Sequence, residues 1–432
     1  MADRALAVPV VPLGPLGLRR DRVTVALYAN FVTWGWLLYS FSPSVPLLAA
    51  EQGISKAAAG LHGTAMAIGT VLSALVSARL VERLGRRRTL LLAAGVVAAG
   101  VGLLTSGGNL ASTLPGALIT AVGGALLISA GTTALSVHHG EAAPAAVTEA
   151  NAVGALFGLL APLAVGASVA VGWGWRPAVA VTIALAAVAA VLIGLLPGRG
   201  ALGSSRPPAS TAPSAVGAAA AAAEPPPTPG APASGRGFSR TFWYFWSALI
   251  VAIAIENATT FWAADLLITR TGAGPGVATG ALAGLIAGMS AARFVVGPLS
   301  LRRAPEKLLL LAFTVAAGGW LMLWTATTTP LALAGLVVAG LGYGAQYPLS
   351  VALVLRSSGG RPDRAQARGT LGAGAAIGIA PFLLGALADR FGTHGAFLLV
   401  PVLIAAGGAA VALGLRSVHR AARAQLAASL PD

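Results

Sequence analysis

Of the 13 carboxylates in this 432-residue chain, Glu256 has the most apolar setting. It lies within FWYFWSALIVAIAIENATTFWAADLLI, with fifteen uncharged residues before it and eight after. A carboxyl held there either stays protonated, ready to take up and release a proton, or holds a cation. Arg293, alone in a second apolar stretch, is the only cation outside the chain's charged segments. A static Glu256–Arg293 pair is therefore the rival reading, and sequence leaves both open. Thr259 and Thr260, three and four residues on, share a helical face with Glu256.

Other polar groups recur at helical spacing. Tyr343, Gln346, Tyr347 and Ser350 fall on one face, as do Asn30, Thr33, Trp36 and Ser40. Ser129, Thr132, Thr133 and Ser136 repeat the pattern, although hydroxyls of this kind also serve packing and back-bonding. Such groups suit a cationic or amphipathic organic molecule, and a neutral sugar-like solute equally well. The run His138-His139-Gly140-Glu141 offers too few fixed ligands for a zinc site, and there is no cysteine. No metal and no cofactor is expected.

The elements that must position these residues follow from composition. The chain is 56% hydrophobic and 9% charged, with mean hydropathy +0.81, against about 25% charged for a soluble protein. A bilayer helix needs about 20 apolar residues. Twelve candidate spans result, at 23–49, 57–81, 89–105, 114–137, 146–171 and 178–196, then 242–268, 277–300, 307–325, 331–355, 367–388 and 395–416. Residues 1–22 and 417–432 are expected to be cytoplasmic tails. Residues 197–241 form a Pro/Ala/Gly-rich stretch that cannot bury a core, expected to be a disordered cytoplasmic linker. A single offset of 219 residues pairs Gly69 with Gly288, Arg83 with Arg302, Gly123 with Gly342, Pro162 with Pro381 and Gly166 with Gly385. The expected fold is an all-α integral membrane protein, two pseudo-symmetric bundles of six helices at 23–196 and 242–416.

With the N-terminus in the cytoplasm, 23 basic residues fall on inner segments and four, Lys56, Arg176, Arg270 and Arg390, on outer ones. The net charge of +15 is thus a topological bias toward the inner side. No basic soluble domain is left for a nucleic acid to bind.

The turn between spans 2 and 3 reads SARLVERLGRRRTL. It resembles the loop motif of the major facilitator superfamily, G-x-x-x-D-R-x-G-R-R, with Glu82 at the acid, Arg83 at the first arginine, Gly85 at the turn glycine and Arg86 and Arg87 at the closing pair. Ala78 replaces the leading glycine, and Glu82 is one methylene longer than the usual acid. The second half keeps only a worn copy, GPLSLRRAPEK, with Leu301 at the acid position. The resemblance covers the whole chain. It implies a twelve-helix secondary transporter of the inner membrane, with both termini cytoplasmic. It also implies a central cavity lined by helices 1, 4, 7 and 10, and a latch, Glu82 to Arg87, that holds the halves when the outer side is open.

Gly158, Pro162 and Gly166 of span 5, with Pro381 and Gly385 of span 11, are the candidate hinge. The expected partners are a small organic solute, a coupling proton and the lipid bilayer; a monomer is expected, and an enzyme is not. Asp389 and Arg390 are expected to pair with each other, and Asp265 to be hydrated at the outer interface. A uniporter and a transport-fold sensor remain alternatives, with a polytopic membrane enzyme behind them. No phosphate-binding loop is present for direct ATP drive.

Overall fold

The structure is a computed structural model that describes residues 20–203, 237–300, 302–359 and 361–428. Most of the 197–241 linker, most of the expected N-terminal tail and residues 429–432 lie outside the described residues. Helix α1 (Arg22–Phe41) continues through a tight turn at Ser42–Ser44 into a short helix, Val45–Gln52. Lys56–Ser106 is a 51-residue helical run that Gly85 breaks at φ 77°, ψ 160°, giving α2 (56–84) and α3 (86–106). Helices α4 (Leu110–His139), α5 (Ala143–Ala170) and α6 (Arg176–Gly194) complete the first half. The second half holds α7 (Arg240–Thr271), α8 (Pro275–Gly280 with Leu282–Ser300), α9 (Pro305–Thr325), α10 (Thr329–Arg356), α11 (Pro362–Ala396) and α12 (Leu399–Ala428).

Local chemistry sets many of the boundaries. Asp21, Ser55, Asn109 and Ser239 each accept the backbone N–H three residues on, satisfying one of the orphan donors at a helix start. Proline opens the first turn of α5, α6, α8, α9, α10 and α11, where its missing N–H costs nothing. Helix α12 runs past the expected end at 416 to Ala428, because the stretch beyond is rich in alanine and arginine, both good helix formers.

The two halves repeat each other in three dimensions. Helix α1 packs on α5 and α6, and the 56–106 run packs on α4 and α6; likewise α7 packs on α11 and α12, α8 and α9 on α10, and α9 on α12. The atoms repeat too. A Cβ on Gly69 would lie 2.5 Å from the Leu118 carbonyl oxygen, and one on Gly288 would strike the carbonyl of Val337, the residue 219 after Leu118. A Cβ on Gly123 would lie 2.7 Å from the Val97 nitrogen, and one on Gly342 2.6 Å from the Ala316 nitrogen, again 219 apart. In lipid no hydrophobic force draws helices together, so small residues that let backbones touch do that work.

Across the halves, α2 packs on α11, α5 on α8, and α7 on the Ser42–Ser44 turn and the short helix after it. These contacts lie toward the face opposite the Gly85 turn. On the face bearing that turn, no hydrogen bond or ion pair among the described residues joins the halves, and α4 has no substantial packing partner in the second half. The molecule is closed on one face and parted on the other.

Candidate functional site

Four polar side chains lie near one another between the halves. Glu256 and Arg293, on α7 and α8, lie within electrostatic range of one another, of Tyr347 on α10, and of Tyr39, which reaches in from α1 of the other half. Glu256 is half-buried and Arg293 is exposed. No nitrogen of Arg293 comes within 4.0 Å of a Glu256 oxygen, so the two do not close into a contact ion pair. Tyr39 fits because α5 has a glycine behind it: a Cβ on Gly158 would lie 2.5 Å from the ring.

The remaining sequence candidates are distributed differently. Thr260 donates to the Glu256 carbonyl at 2.7 Å, and Asn257 bonds back to Ile253. Thr259 and Tyr343 bond each other at 3.2 Å inside the second half, both buried. Gln346 and Ser350 are also buried, and neither the Gln346 amide nor the Ser350 hydroxyl has a partner among the described residues. On α1, Asn30, Thr33 and Ser40 are buried and bond back to Leu27, Ala29 and Leu37 carbonyls, while Trp36 donates to the Ala178 carbonyl of α6 at 2.9 Å. Thr133 and Ser136 on α4 back-bond in the same way.

The charged turn has partners only in its own half. Arg87 bonds the Ile193 and Gly194 carbonyls at the end of α6, and Arg86 bonds the Ala201 carbonyl. Glu82 and Arg83 are exposed and make no hydrogen bond or ion pair among the described residues. Nearby, Arg20 grips Glu149 with two bonds of 2.6 and 2.9 Å, His138 bonds Asp21 at 2.7 Å, and His139 bonds Thr24 at 2.8 Å. The two histidines therefore tie α4 to the start of α1. Partial burial opposes ionisation of Asp21, yet the Thr24 N–H and hydroxyl and the His138 ring hold its carboxyl at about 2.

Two pairings differ from expectation. Asp389 does not pair with Arg390; it accepts the Lys56 and Ala57 N–H groups of α2, and Arg390 lies over the Phe391 ring. Asp265 is bonded to the Lys56 ammonium and the Thr393 hydroxyl rather than to solvent alone. A helix N-terminus carries free donors and a positive dipole end, and the Asp389 carboxylate from a neighbouring helix meets both.

Among the hinge candidates, Gly166 packs on Gly276 of α8, and Gly385 on Lys56 of α2, so both sit at seams between the halves. The Pro381 carbonyl accepts the Trp262 indole N–H at 2.8 Å. Tyr39 and Lys56 were missed as site residues in the sequence. A signal existed for each: Tyr39 follows Trp36 by three residues, and Lys56 is one of only two lysines.

A search of curated protein sequences finds no match. The fold, however, is shared with solved structures. A bacterial homologue of the human lysosomal transporter Spinster, in an inward-facing and occupied conformation, matches with TM-score 0.70 at 16% identity, over 93% of this chain and 98% of that one. A nucleoside transporter matches at 0.68 and 11% identity over 91% and 98%, and a D-xylose–proton symporter at 0.67 and 15% over 91% and 96%. Identities this low speak to the fold alone. The sequence itself matches the family model described as Major Facilitator Superfamily over residues 25–354 and 245–429. Since those matches span both helical repeats, the chain belongs to the Major Facilitator Superfamily.

Proposed function

We propose that this protein is a secondary transporter that moves a small organic solute across the cytoplasmic membrane by alternating access, coupled to protons through Glu256. The observation that carries the reading is the open Glu256–Arg293 relationship between halves parted on one face. Beyond 4 Å, at an effective dielectric of 20, two unit charges attract by less than about 4 kcal/mol. Removing each ion from water costs several kcal/mol, and a charge at mid-membrane costs at least ~2.5 kcal/mol on insertion scales. The pair is therefore not self-sufficient. A proton on Glu256, or the charges of a bound solute between Glu256, Arg293, Tyr39 and Tyr347, completes the balance.

Orientation follows from charge. The face bearing the Gly85 turn carries the basic excess and is the cytoplasmic side, with both termini there. This conformation is then inward-facing, and the turn's role as a latch belongs to the opposite state, which accounts for its bonding only within its own half among the described residues. The expected protein is a monomer in the cytoplasmic membrane that does no covalent chemistry. Like one of its structural neighbours, named as a proton symporter, it would use a proton gradient.

The test is transport in proteoliposomes across a panel of radiolabelled solutes. A carrier exchanges internal for external solute, whereas a sensor binds without exchange. Wild-type proton-driven accumulation by Glu256→Gln ends the coupling assignment.

A further inference from the structure

The two seams that close the outer side are related by the internal repeat, yet only one carries charge. At the α5–α8 seam, Gly166 and Gly276 meet backbone to backbone. At the equivalent α2–α11 seam, Gly385 approaches Lys56 so closely that a Cβ would lie 2.5 Å from the Lys56 carbonyl oxygen. Here a polar cluster is added. The Lys56 ammonium bonds Asp265 of α7 and, at 2.6 Å, Thr393 of α11; the Thr393 hydroxyl bonds Asp265 in turn. The backbone N–H groups of Lys56 and Ala57 donate to the two oxygens of Asp389 at 2.8 Å each. Helix α2 is thus capped from the other half of the molecule, while its own Ser55 takes the next N–H at 3.1 Å.

The residues 219 positions away from this cluster are Pro46, Ala170, Gly174 and Pro275, none of them charged. The repeat fold does not require the cluster. Four of the five hydrogen bonds that join the halves among the described residues belong to it, the fifth being Thr64 to the Gly378 carbonyl. The Lys56 and Asp265 side chains are partly sheltered, 28% and 16% exposed, so salt screens that pair less than a surface pair, whereas Asp389 is exposed.

We propose that Lys56, Asp265 and Asp389 are the gate residues of the outer side, a two-point lock that must break before the transporter can face outward. One point is an ammonium held between Asp265 and Thr393. The other is the donor-rich start of α2 seated on Asp389. The proposal rests on the alternating-access reading above. Breaking the lock takes the partners from two carboxylates, an ammonium and two backbone donors together, so its points release as a unit. These are gating residues rather than solute-binding ones. Their loss shifts the balance between states, tightening the apparent affinity for outside solute while lowering the maximum rate.

The absence of native cysteine makes the test clean. Ala67 on α2 faces Gly378 across the seam, so Ala67→Cys reports opening from outside. Right-side-out proteoliposomes receive a membrane-impermeant maleimide, without solute. Asp265→Asn and Asp389→Asn should each speed outside labelling at least threefold, and the exchange Lys56→Asp with Asp265→Lys should return it toward the parent rate. Detergent melting curves on the same preparations identify any variant that fails to fold, and the charge exchange keeps the test decisive if one does. Unchanged labelling in both asparagine variants overturns the lock. If the parent labels from outside but the variants add nothing, alternating access stands without the lock; if nothing labels from outside in any variant, both readings fall.

Discussion

Glu256 on α7 and Arg293 on α8 lie near each other without closing into a contact ion pair, and Tyr39 of the opposite half lies near both. An acid and a base that share a membrane interior would ordinarily close on each other. Their separation leaves room for a third participant, and the first prediction tests what that is. Glu256→Gln should abolish accumulation driven by a proton gradient while keeping solute exchange within about threefold of wild type. Comparing accumulation and counterflow in one proteoliposome preparation reads both.

The glycine contacts between helices give a stability prediction. Gly288→Val places atoms on the Val337 carbonyl, and overpacking of this kind costs about 1–3 kcal/mol. Gly95 and Gly318 meet nothing within 4 Å and have ordinary helical φ, so alanine there should be neutral or stabilising by up to about 1 kcal/mol. Melting curves in a single detergent should separate the two classes.

Gly85 holds φ 77° and ψ 160° at the turn between α2 and α3. That region is open essentially to glycine alone, and forcing another residue into it costs about 1–3 kcal/mol. Gly85→Ala should therefore lower the melting temperature and loosen Arg87 from the end of α6 and Arg86 from the Ala201 carbonyl. Faster proteolysis within residues 82–88 would show the loosening.

Glu82 is exposed and has no partner among the described residues, so Glu82→Gln should leave the thermal stability of this conformation within about 0.5 kcal/mol of wild type. The same change should weaken the outward-facing state if the charged turn is its latch. Outside labelling of Ala67→Cys should then slow, the reverse of the effect expected from Asp265→Asn. Variants at the two ends of α2 that moved labelling in the same direction would contradict this.

Much of the architecture was legible before any coordinates. Spans of about twenty apolar residues leave a helix as the one economical way to satisfy backbone polar groups in lipid, and the 219-residue offset announced a repeated bundle. The chemistry was only partly legible. Glu256 stood out because a charge in a greasy stretch is expensive wherever its neighbours lie. The faces on α1 and α10 had the right spacing, yet spacing cannot tell a cavity from a bundle interior. Asn30, Thr33 and Ser40 turned inward to their own backbone, and Gln346 was buried without a partner among the described residues.

The sequence by itself determined the solvent, the number of helices, the internal repeat and the one isolated acid, because hydropathy, helix length and periodicity are properties of the local chain. Tertiary structure alone decided that Tyr39 faces Arg293, that Asp389 caps a helix 333 residues away, and that one of two related seams is charged. Those relationships depend on which helices touch and at what height. Backbone-to-backbone packing through glycine sets that, and no local pattern encodes it.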